Sequence, residues 1–409
     1  MMPGTSDILI VGGGLNGCSL ALALAGAGFS VALIDSQRLD QIAADDFDGR
    51  SYALALASQR MLAALGLWPG LAPHAQPILK VTVSDGHAHS GPSPLHLLFD
   101  HAEIEEGPMG WMIEDRHLRQ ALLATIAATP AIRHLTGETV AAQRLEGQQI
   151  VVTLAGGDQI AGALLVGCDG RSSGTAARAG IRRTGWPYHQ TALVCAVAHD
   201  MPHNGTAHQL FLPAGPLAIL PLQGNRSSIV WTESTAQARA IQALDAAGYL
   251  AALRPRFGDF LGRISLAGAR FSYPLTLSLA NAMTGPRLAL VGDAAHGIHP
   301  LAGQGLNLGL RDSAALAEVL ATARRRGEDI GAPAVLARYH SWRRFDTAVL
   351  ALATDGVNRL FSNDNPLLRL GRDIGLGLTN AVPSLRRRLI REAAGLTGDL
   401  PRLLQGKAI

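Results

Sequence analysis

The chain has 409 residues, of which 48% are hydrophobic and 16% charged, with a formal net charge of +3 and a sequence pI near 9.0. This length suits a globular protein of two or three packed units, and the composition excludes an intrinsically disordered chain. The positive charge is not arranged as a basic stripe interleaved with aromatic residues, so we expect no nucleic-acid partner.

Cysteine usage and the apolar start of the chain exclude further classes. Cys18, Cys168 and Cys195 are odd in number and lack CxxC spacing, which argues against a disulfide framework or a zinc site and favours a reducing cytoplasm. Residues 8–34 are apolar, but glycines interrupt them and no basic residue precedes them. We therefore expect neither a signal peptide nor a membrane span there.

The first element is a strand, a helix and a strand in the order of a dinucleotide-binding motif. Gly12 permits the tight turn after the first strand, Gly14 lets a pyrophosphate approach the backbone, and Gly17 lets helix and strand pack closely. Leu15 opens the helix, and Asp35 ends the second strand, where it is placed to accept a ribose hydroxyl. This fingerprint alone does not separate FAD from NAD.

The middle of the chain alternates between helical and strand patterns. In chain order we predict a helix over 58–65, a hairpin over 81–101, a helix within 111–125, and strands over 139–144, 150–154, 164–167, 191–198, 209–212, 217–222, 228–232 and 269–275. The strands after residue 185 follow one another at short spacing with Pro and Gly turns. They predict an antiparallel sheet and not further βαβ units.

The stretch from Pro286 to Leu320 carries the strongest signal. An apolar strand ends at Gly292 and Asp293, and later glycines precede a helix that we predict to begin near Gly305. A glycine-flanked helix start presents bare N–H groups and a positive dipole end to an anionic or electron-rich ring edge. With a carboxylate on the preceding turn, the pattern suits the ribityl chain and pyrimidine edge of a flavin; the alternative is an ordinary strand, turn and helix.

The wording of this stretch, GDAAHGIHPLAGQGLNLGLRD, closely resembles the second flavin motif of the class A flavoprotein monooxygenases, the para-hydroxybenzoate hydroxylase superfamily. Within it, HPLAGQGLNLG, YHQTALVCAV and FLPAGPLAILPL are most similar to the ubiquinone-biosynthesis hydroxylases. The resemblance implies an α/β fold, with a Rossmann-like FAD-binding domain, an antiparallel β-sheet substrate domain and C-terminal helices. We expect the FAD-binding domain over 1–80, 102–183 and 282–335, the substrate domain over 81–101 and 184–281, and the helical region over 336–409.

The resemblance also implies a set of FAD contacts beyond the first motif. Arg50 would lie against the cofactor and pair with its pyrophosphate or steady a negative flavin, and Arg116 opens a helix that contacts FAD in the family. Val140 would lend backbone to the adenine. The other implied contacts are Asp169, Asp293, Gly303, Gln304, Gly305, Leu306 and Asn307.

One position departs from the family pattern. Ala176 stands where relatives usually place an arginine after the Asp169-Gly170 motif, and Arg178 follows two residues later. The reductant is therefore left open between NAD(P)H and a protein electron donor.

The resemblance implies an FAD-dependent hydroxylase that uses O2, through a C4a-hydroperoxyflavin, on a prenylated phenol or quinol of ubiquinone biosynthesis. His299 would polarise the phenol or relay a proton, or only hold backbone, and Pro300 would lie along the reactive edge. The residues expected to line the apolar pocket, each of which also fits plain sheet core, are Phe211, Leu220, Pro221 and Trp231.

Three other functions share parts of this pattern. A flavin halogenase is disfavoured because the chain lacks a WxWxIP signature. An FAD-dependent prenyl-lipid reductase or oxidase, and a non-catalytic flavin-bearing scaffold of a biosynthetic complex, both stay open. Leu385, Leu389 and Ala393 share a helical face beside a run of arginines, which suits either a solvated helix or peripheral contact with an anionic inner membrane.

Overall fold

The computed structural model describes residues 5–42, 46–87, 91–300, 303–362 and 375–409. Residues 1–4, 43–45, 88–90, 301–302 and 363–374 of the predicted domains lie outside this description. The strands, numbered in chain order, are β1 (Thr5–Val11), β2 (Val31–Asp35), β3 (Ser51–Ala55), β4 (Gln76–Ile78), β5 (Lys80–His87), β6 (Gly91–Asp100), β7 (Gly110–Glu114), β8 (Ile132–Thr136), β9 (Val140–Glu146), β10 (Gln149–Leu154), β11 (Gln159–Gly167), β12 (Arg183–His199), β13 (Thr206–Leu212), β14 (Gly215–Leu222), β15 (Arg226–Ser234), β16 (Ile264–Leu266), β17 (Phe271–Ala280), β18 (Thr284–Gly285), β19 (Leu288–Leu290) and β20 (His296–Gly297). The helices are α1 (Leu15–Gly26), α2 (Leu39–Ile42), α3 (Leu56–Ala64), α4 (Trp68–Leu71), α5 (Asp115–Ala127), α6 (Gly174–Arg178), α7 (Thr235–Gln242), α8 (Ala246–Phe257), α9 (Gln304–Arg325), α10 (Pro333–Phe361) and α11 (Pro383–Ala393).

The first sheet has the order β18-β19-β11-β1-β2-β8, with β10 and β9 continuing from β11. The β19–β11, β11–β1, β1–β2 and β2–β8 pairs are parallel, whereas β18 and β10 pair antiparallel with β19 and β11. Parallel strands need helices on their faces, which explains why β1 and β2 are continuous apolar runs, with residues 8–10 and 31–34 at most 1% exposed. Side chains of α1, α5 and α9 complete this core.

The second sheet has the order β20-β17-β12-β15-β14-β13-β5-β6, and β16 pairs with β12. Its central pairings are antiparallel, as predicted, but β13 pairs with β5 in parallel. That pairing brings the hairpin of β5 and β6 into the sheet. In β12 the pairing with β17 shifts between Pro187 and Thr191, where His189 has a φ of +56°.

The two faces of the second sheet have different coverings. One face packs on α7 and α8 and buries Trp231, Tyr249 and Phe257. Because side chains alternate along a strand, the neighbouring residues point to the opposite face, towards β3 and the start of α9. The site lies on that second face.

The C-terminal helices complete the fold. Helix α10 is 29 residues long and packs on α9, and α11 contacts β6. In α11, Ile390 is fully buried, Arg386 and Arg391 pair with Glu103 and Glu106, and residues 387–388 are exposed. Within the described ranges, no helix combines the length and apolar composition that crossing a bilayer requires.

Candidate active site

The glycines of the first motif, from the turn after β1 into the first turn of α1, have three distinct environments. Gly12 has a φ of +106°, which favours glycine, and a Cβ on Gly17 would lie 1.9 Å from the Gly12 carbonyl oxygen. A Cβ on Gly14, by contrast, would meet no atom within 4 Å. The turn is therefore closed on its inner side and open where a phosphate approaches.

A cavity of about 400 Å³ opens beside this turn. Its walls include the predicted residues Gly12, Gly14, Asp35, Val140 and Asp169. Asp35 is 6% exposed and one carboxylate oxygen accepts a hydrogen bond from the Gln37 N–H at 3.0 Å. A buried carboxylate at the end of a strand, next to glycine backbone, fits a ribose and its phosphates.

The Asp169-Gly170 motif lies between β11 and α6 and contributes Asp169 to the wall of this cavity. The Asp169 carboxylate accepts hydrogen bonds from the Ser173 hydroxyl at 2.5 Å and the Thr175 N–H at 2.9 Å, so it caps α6. Ala176 is 1% exposed within the core, whereas Arg178 lines the cavity and donates to the Val140 carbonyl at 3.1 Å. Arg178 thus places a positive charge at this wall, although position 176 holds an uncharged alanine.

The start of α9 is built as a bare helix end. Gly303 is its N-cap, with a φ of +65°, and α9 begins at Gln304, one residue before the predicted Gly305. A Cβ on Gly305 would meet no atom within 4 Å, so the first turn has open space beside it. Leu306 packs partly buried against the main core. The free N–H groups and the helix dipole favour negative charge at this point.

Asn307 connects this helix start to β3. Its side-chain oxygen accepts from the Ala55 N–H at 2.9 Å and the Ser58 hydroxyl at 2.7 Å. Its amide nitrogen donates to the Ala53 carbonyl at 2.9 Å and the Gly303 carbonyl at 3.2 Å. All hydrogen-bonding capacity of the side chain is engaged with protein, so Asn307 positions the site through the backbone of its neighbours.

The turn after β19 holds the second acid. Asp293 forms an ion pair with Arg171 at 2.9 Å, and its backbone carbonyl accepts from Arg183 at 3.1 Å. Sequence reasoning missed Asn16, which packs against this turn. A Cβ on Gly292 would lie 2.4 Å from the Asn16 side-chain nitrogen, and one on Gly309 would lie 2.2 Å from it. Asn16 therefore joins the first glycine motif to the second.

A buried network centred on Asp312 of α9 holds the turn after β19 in place. Asp312 accepts hydrogen bonds from the Gly292 N–H at 3.1 Å and from Arg343 at 2.8 Å, and it contacts His296. Burial by itself would raise the pKa of the Asp312 carboxyl, but His296 and Arg343 hold it below its usual value. The second flavin motif thus rests on an ion pair of 0% exposure.

The predicted residues Arg50 and Arg116 lie near the start of α5, where each pairs with an acidic residue. Arg50 pairs with Asp48 at 2.7 Å and with Asp115 at 3.4 Å, and Arg116 pairs with Glu114 at 2.8 Å. Sequence reasoning missed Arg119, which pairs with Asp115 at 2.7 Å and, in the wall of a small cavity, lies beside the glycine turn and α1. The helical spacing of Asp115 and Arg119 was a signal that could have found it.

A second cavity, of about 160 Å³ and mainly apolar, lies between the second sheet, β3 and the start of α9. Leu220 is in its wall together with Val81, Val83, Phe99, Ala207 and Gln209, and Gln304 and Asn307 close one end. An apolar cavity that ends at a bare helix N-terminus suits an oily aromatic guest beside a flavin.

The other predicted pocket residues are distributed over both faces of the sheet. Phe211 lies on the cavity face, where its ring stacks on Phe361 at 4.1 Å. Trp231 is fully buried on the opposite face beneath α7 and α8, where it packs on Tyr249. Trp231 therefore belongs to the sheet core and not to the cavity wall, and Pro221 alternates with Leu220 and does not line the cavity either.

His299 and Pro300 contact the cavity face of the sheet, beside Ala218 and Val230. The His299 ring is 1% exposed, packs edge-on to Tyr188 at 5.1 Å, and has no hydrogen-bond partner among the described residues at either nitrogen. Burial lowers the pKa of His299 to about 4, so the ring is neutral at physiological pH. A neutral imidazole with unused nitrogens can accept or relay a proton.

Comparisons with known proteins agree with this geometry. The sequence profile of the family described as FAD binding domain matches residues 5–351. The ubiquinone hydroxylase UbiL of Rhodospirillum rubrum is 47% identical over 404 residues, which cover 98% of this chain and 93% of that protein. The 3-demethoxyubiquinol 3-hydroxylase of Escherichia coli is 36% identical, covering 96% of this chain and 99% of that protein.

Solved structures share the fold. The p-nitrophenol 4-monooxygenase PnpA of Pseudomonas putida superimposes with a TM-score of 0.79 at 18% identity, covering 97% of this chain and 99% of that chain. The predicted resemblance to flavoprotein monooxygenases, the fold class and the FAD cofactor are confirmed by these matches. The chain belongs to the FAD binding domain family.

Proposed function

We propose that this protein is an FAD-dependent monooxygenase that hydroxylates the aromatic ring of a prenylated phenol or quinol in ubiquinone biosynthesis. The observation that carries the proposal is the 47% identity to a ubiquinone hydroxylase over 98% of this chain. The apolar cavity that ends at the start of α9 supports it, because it offers an oily phenol a water-poor place next to the flavin motif.

When bound, FAD supplies the redox chemistry, accepting electrons from a reductant and delivering one atom of O2 to the ring. The chain supplies placement. Gly14 would leave room for the pyrophosphate, Asp35 would accept a hydrogen bond from a ribose hydroxyl, and the N–H groups that follow Gly303 would stabilise negative charge at the flavin pyrimidine. Arg119 lies beside the glycine turn of the first motif, and Arg50 pairs with the same carboxylate, Asp115.

His299 is the residue we assign to the phenol proton. Its ring lies against the cavity face of the sheet, is neutral, and has unused nitrogen atoms. The unprotonated nitrogen of a neutral imidazole accepts a hydrogen bond from the phenol hydroxyl and polarises its O–H bond, which raises the electron density of the aromatic ring. Pro300, next in the chain, lines the same surface.

The reductant is NAD(P)H or a protein electron donor. Arg178 brings a guanidinium to the wall of the cavity that we assign to the FAD ribose and phosphates, where Ala176 offers no charge. We also propose a cytoplasmic protein with peripheral membrane contact and membership of a ubiquinone-biosynthesis complex, since a prenylated substrate resides in the bilayer.

Gene deletion tests the proposed function. We expect the deletion strain to accumulate a quinone precursor that lacks one ring hydroxyl, identified by mass spectrometry. Expression of the wild-type chain restores the quinone, and so does the matched control Leu145→Ala, which changes an exposed residue of β9. A quinone pool that the deletion leaves unchanged would contradict the proposal.

A further inference from the structure

Helix α10 has an outer face that carries no charge over three and a half turns. Its buried positions form the inner face and are Val335, Leu336, Tyr339, Arg343, Thr347, Ala351, Thr354, Asp355, Asn358 and Phe361. The exposed positions between Arg344 and Arg359 are Phe345, Ala348, Val349, Leu352, Ala353, Gly356 and Val357. We call this set, extended by Leu360, the α10 stripe.

The α10 stripe is apolar and exposed to an unusual degree. Phe345 is 74% exposed, Leu352 69% and Val349 49%. Their spacing of four and three residues aligns them on one helix face, and the stripe from 345 to 360 is about 22 Å long at 1.5 Å per residue. The outer face of a solvated helix normally carries charged residues, so a continuous apolar stripe indicates an interaction surface.

The charges around the stripe have one sign on its exposed side. Asp346 turns inward and pairs with Arg343 at 2.8 Å, and Asp355 is 9% exposed and pairs with Arg359 at 3.0 Å. Arg344 and Arg359 are exposed at the two ends. The stripe is therefore apolar along its length and flanked by arginines.

We propose that the α10 stripe docks on the surface of an anionic lipid bilayer. A helix that presents an apolar face between cationic residues lies in the plane of an anionic interface. A second copy of the chain fits less well, because a two-fold pairing of antiparallel stripes places Arg344 of one copy near Arg359 of the other.

The docking has a consequence for substrate access that rests on the proposed function. At the end of α10, Phe361 stacks on Phe211, which lies on the cavity face of the second sheet. The bilayer-facing helix thus reaches the face where we place the substrate cavity. Val83, in the wall of that cavity, packs against the same two rings, so apolar side chains connect the end of α10 to the cavity.

Vesicle sedimentation of the full-length holoprotein tests the docking without reference to hydroxylation. The probes are vesicles of phosphatidylcholine alone and of phosphatidylcholine with phosphatidylglycerol. We expect the wild type to bind the anionic vesicles more tightly, and Phe345→Asp with Leu352→Asp to weaken that binding at least tenfold. The matched control is Leu145→Asp, which places the same charge on a 50% exposed leucine of β9 and leaves vesicle binding unchanged.

Two further measurements make the result decisive. Flavin absorbance and Tm of the double variant check that it is folded, as we expect for changes at exposed positions. Arg387→Ala with Arg388→Ala tests the alternative that the exposed arginines of α11 bind the membrane, and we expect it to weaken binding less than the stripe variant. Unchanged vesicle binding by the folded stripe variant would overturn the proposal. It would also be overturned if the wild type did not bind vesicles but formed a dimer, and the stripe variant were a monomer.

Discussion

At the scale of single residues, the three glycines of the first motif do different work. Gly12 adopts a left-handed conformation, and the missing Cβ of Gly17 lets α1 approach the Gly12 carbonyl to a distance no side chain would permit. No protein atom lies close to the position that a Cβ of Gly14 would take, so the space beside this residue is open. We propose that this open space receives the pyrophosphate of FAD.

This difference predicts opposite results for two alanine substitutions. Gly17→Ala forces a Cβ to 1.9 Å from a backbone oxygen, so we expect it to lower the free energy of unfolding by more than about 2 kcal/mol. Gly14→Ala meets nothing in the protein, so we expect the Tm without FAD to change little while FAD affinity, measured by titration, falls at least tenfold. Normal FAD affinity in Gly14→Ala would contradict the placement of the pyrophosphate.

His299 gives a prediction for pH. The folded chain keeps this ring neutral down to about pH 4, whereas the unfolded chain protonates it below about 6.5, so the unfolded state binds more protons in this window. The free energy of unfolding should therefore fall as the pH drops from 6.5 to 4, by roughly 3 kcal/mol for this group. Chemical denaturation at several pH values measures it.

The variant His299→Asn should lose that share of the pH dependence. A residual slope is expected, because burial lowers the pKa of His208 to about 4 as well. His189→Asn is the matched control: the ring is exposed, its backbone φ of +56° suits asparagine, and the slope should stay as in the wild type. The interpretation of His299 as a buried neutral ring fails if His299→Asn and wild type show the same slope.

At the scale of elements, one side chain connects the helix start to β3. Asn307 satisfies the N–H of Ala55 and the carbonyl of Ala53, two backbone groups at the edge of the apolar cavity. This connection holds the first turn of α9 against the strand that follows Arg50. The start of α9 is therefore connected to β3 by hydrogen bonds within the protein itself.

Removing the connection should loosen the site. We expect Asn307→Ala to reduce the free energy of unfolding by about 2 kcal/mol, since buried backbone groups lose their partners, and to weaken FAD binding. Asn225→Ala is the matched control, because that amide makes one exposed hydrogen bond to Asp200 at 3.1 Å, far from α9 in the chain. Equal loss of stability and flavin in both variants would show that Asn307 has no special role.

The ion pair between α9 and α10 is a second connection between elements. Arg343 and Asp312 are both fully buried, so Arg343→Leu leaves a buried carboxylate without its arginine partner and should cost about 3 kcal/mol or more. Arg338→Leu, on the same helix, removes an exposed pair with Glu328 and should change the stability little. Similar denaturation midpoints for the two variants would contradict this assignment.

At the scale of the whole molecule, the sequence predicted the features that are set by residues close together in the chain. The strand, turn and helix of both motifs are local patterns, and the predicted start of α9 is one residue from the observed one. The position of Trp231 was less predictable. Alternation along a strand shows which residues share a face of the sheet, but it does not show which of the two faces α7 and α8 cover. Asn16 contacts Gly309 only once the chain is folded, so spacing could not reveal it.

The central claim concerns the molecule as a catalyst: FAD lies between the first glycine turn and the start of α9, and one atom of O2 enters the substrate ring. Oxygen-18 labelling tests it most directly. A deletion strain that expresses this chain is grown under oxygen-18 gas, and the quinone is analysed by mass spectrometry. We predict one labelled ring oxygen that depends on this chain; a quinone formed through this chain without the label would contradict the claim and favour a reductase or oxidase.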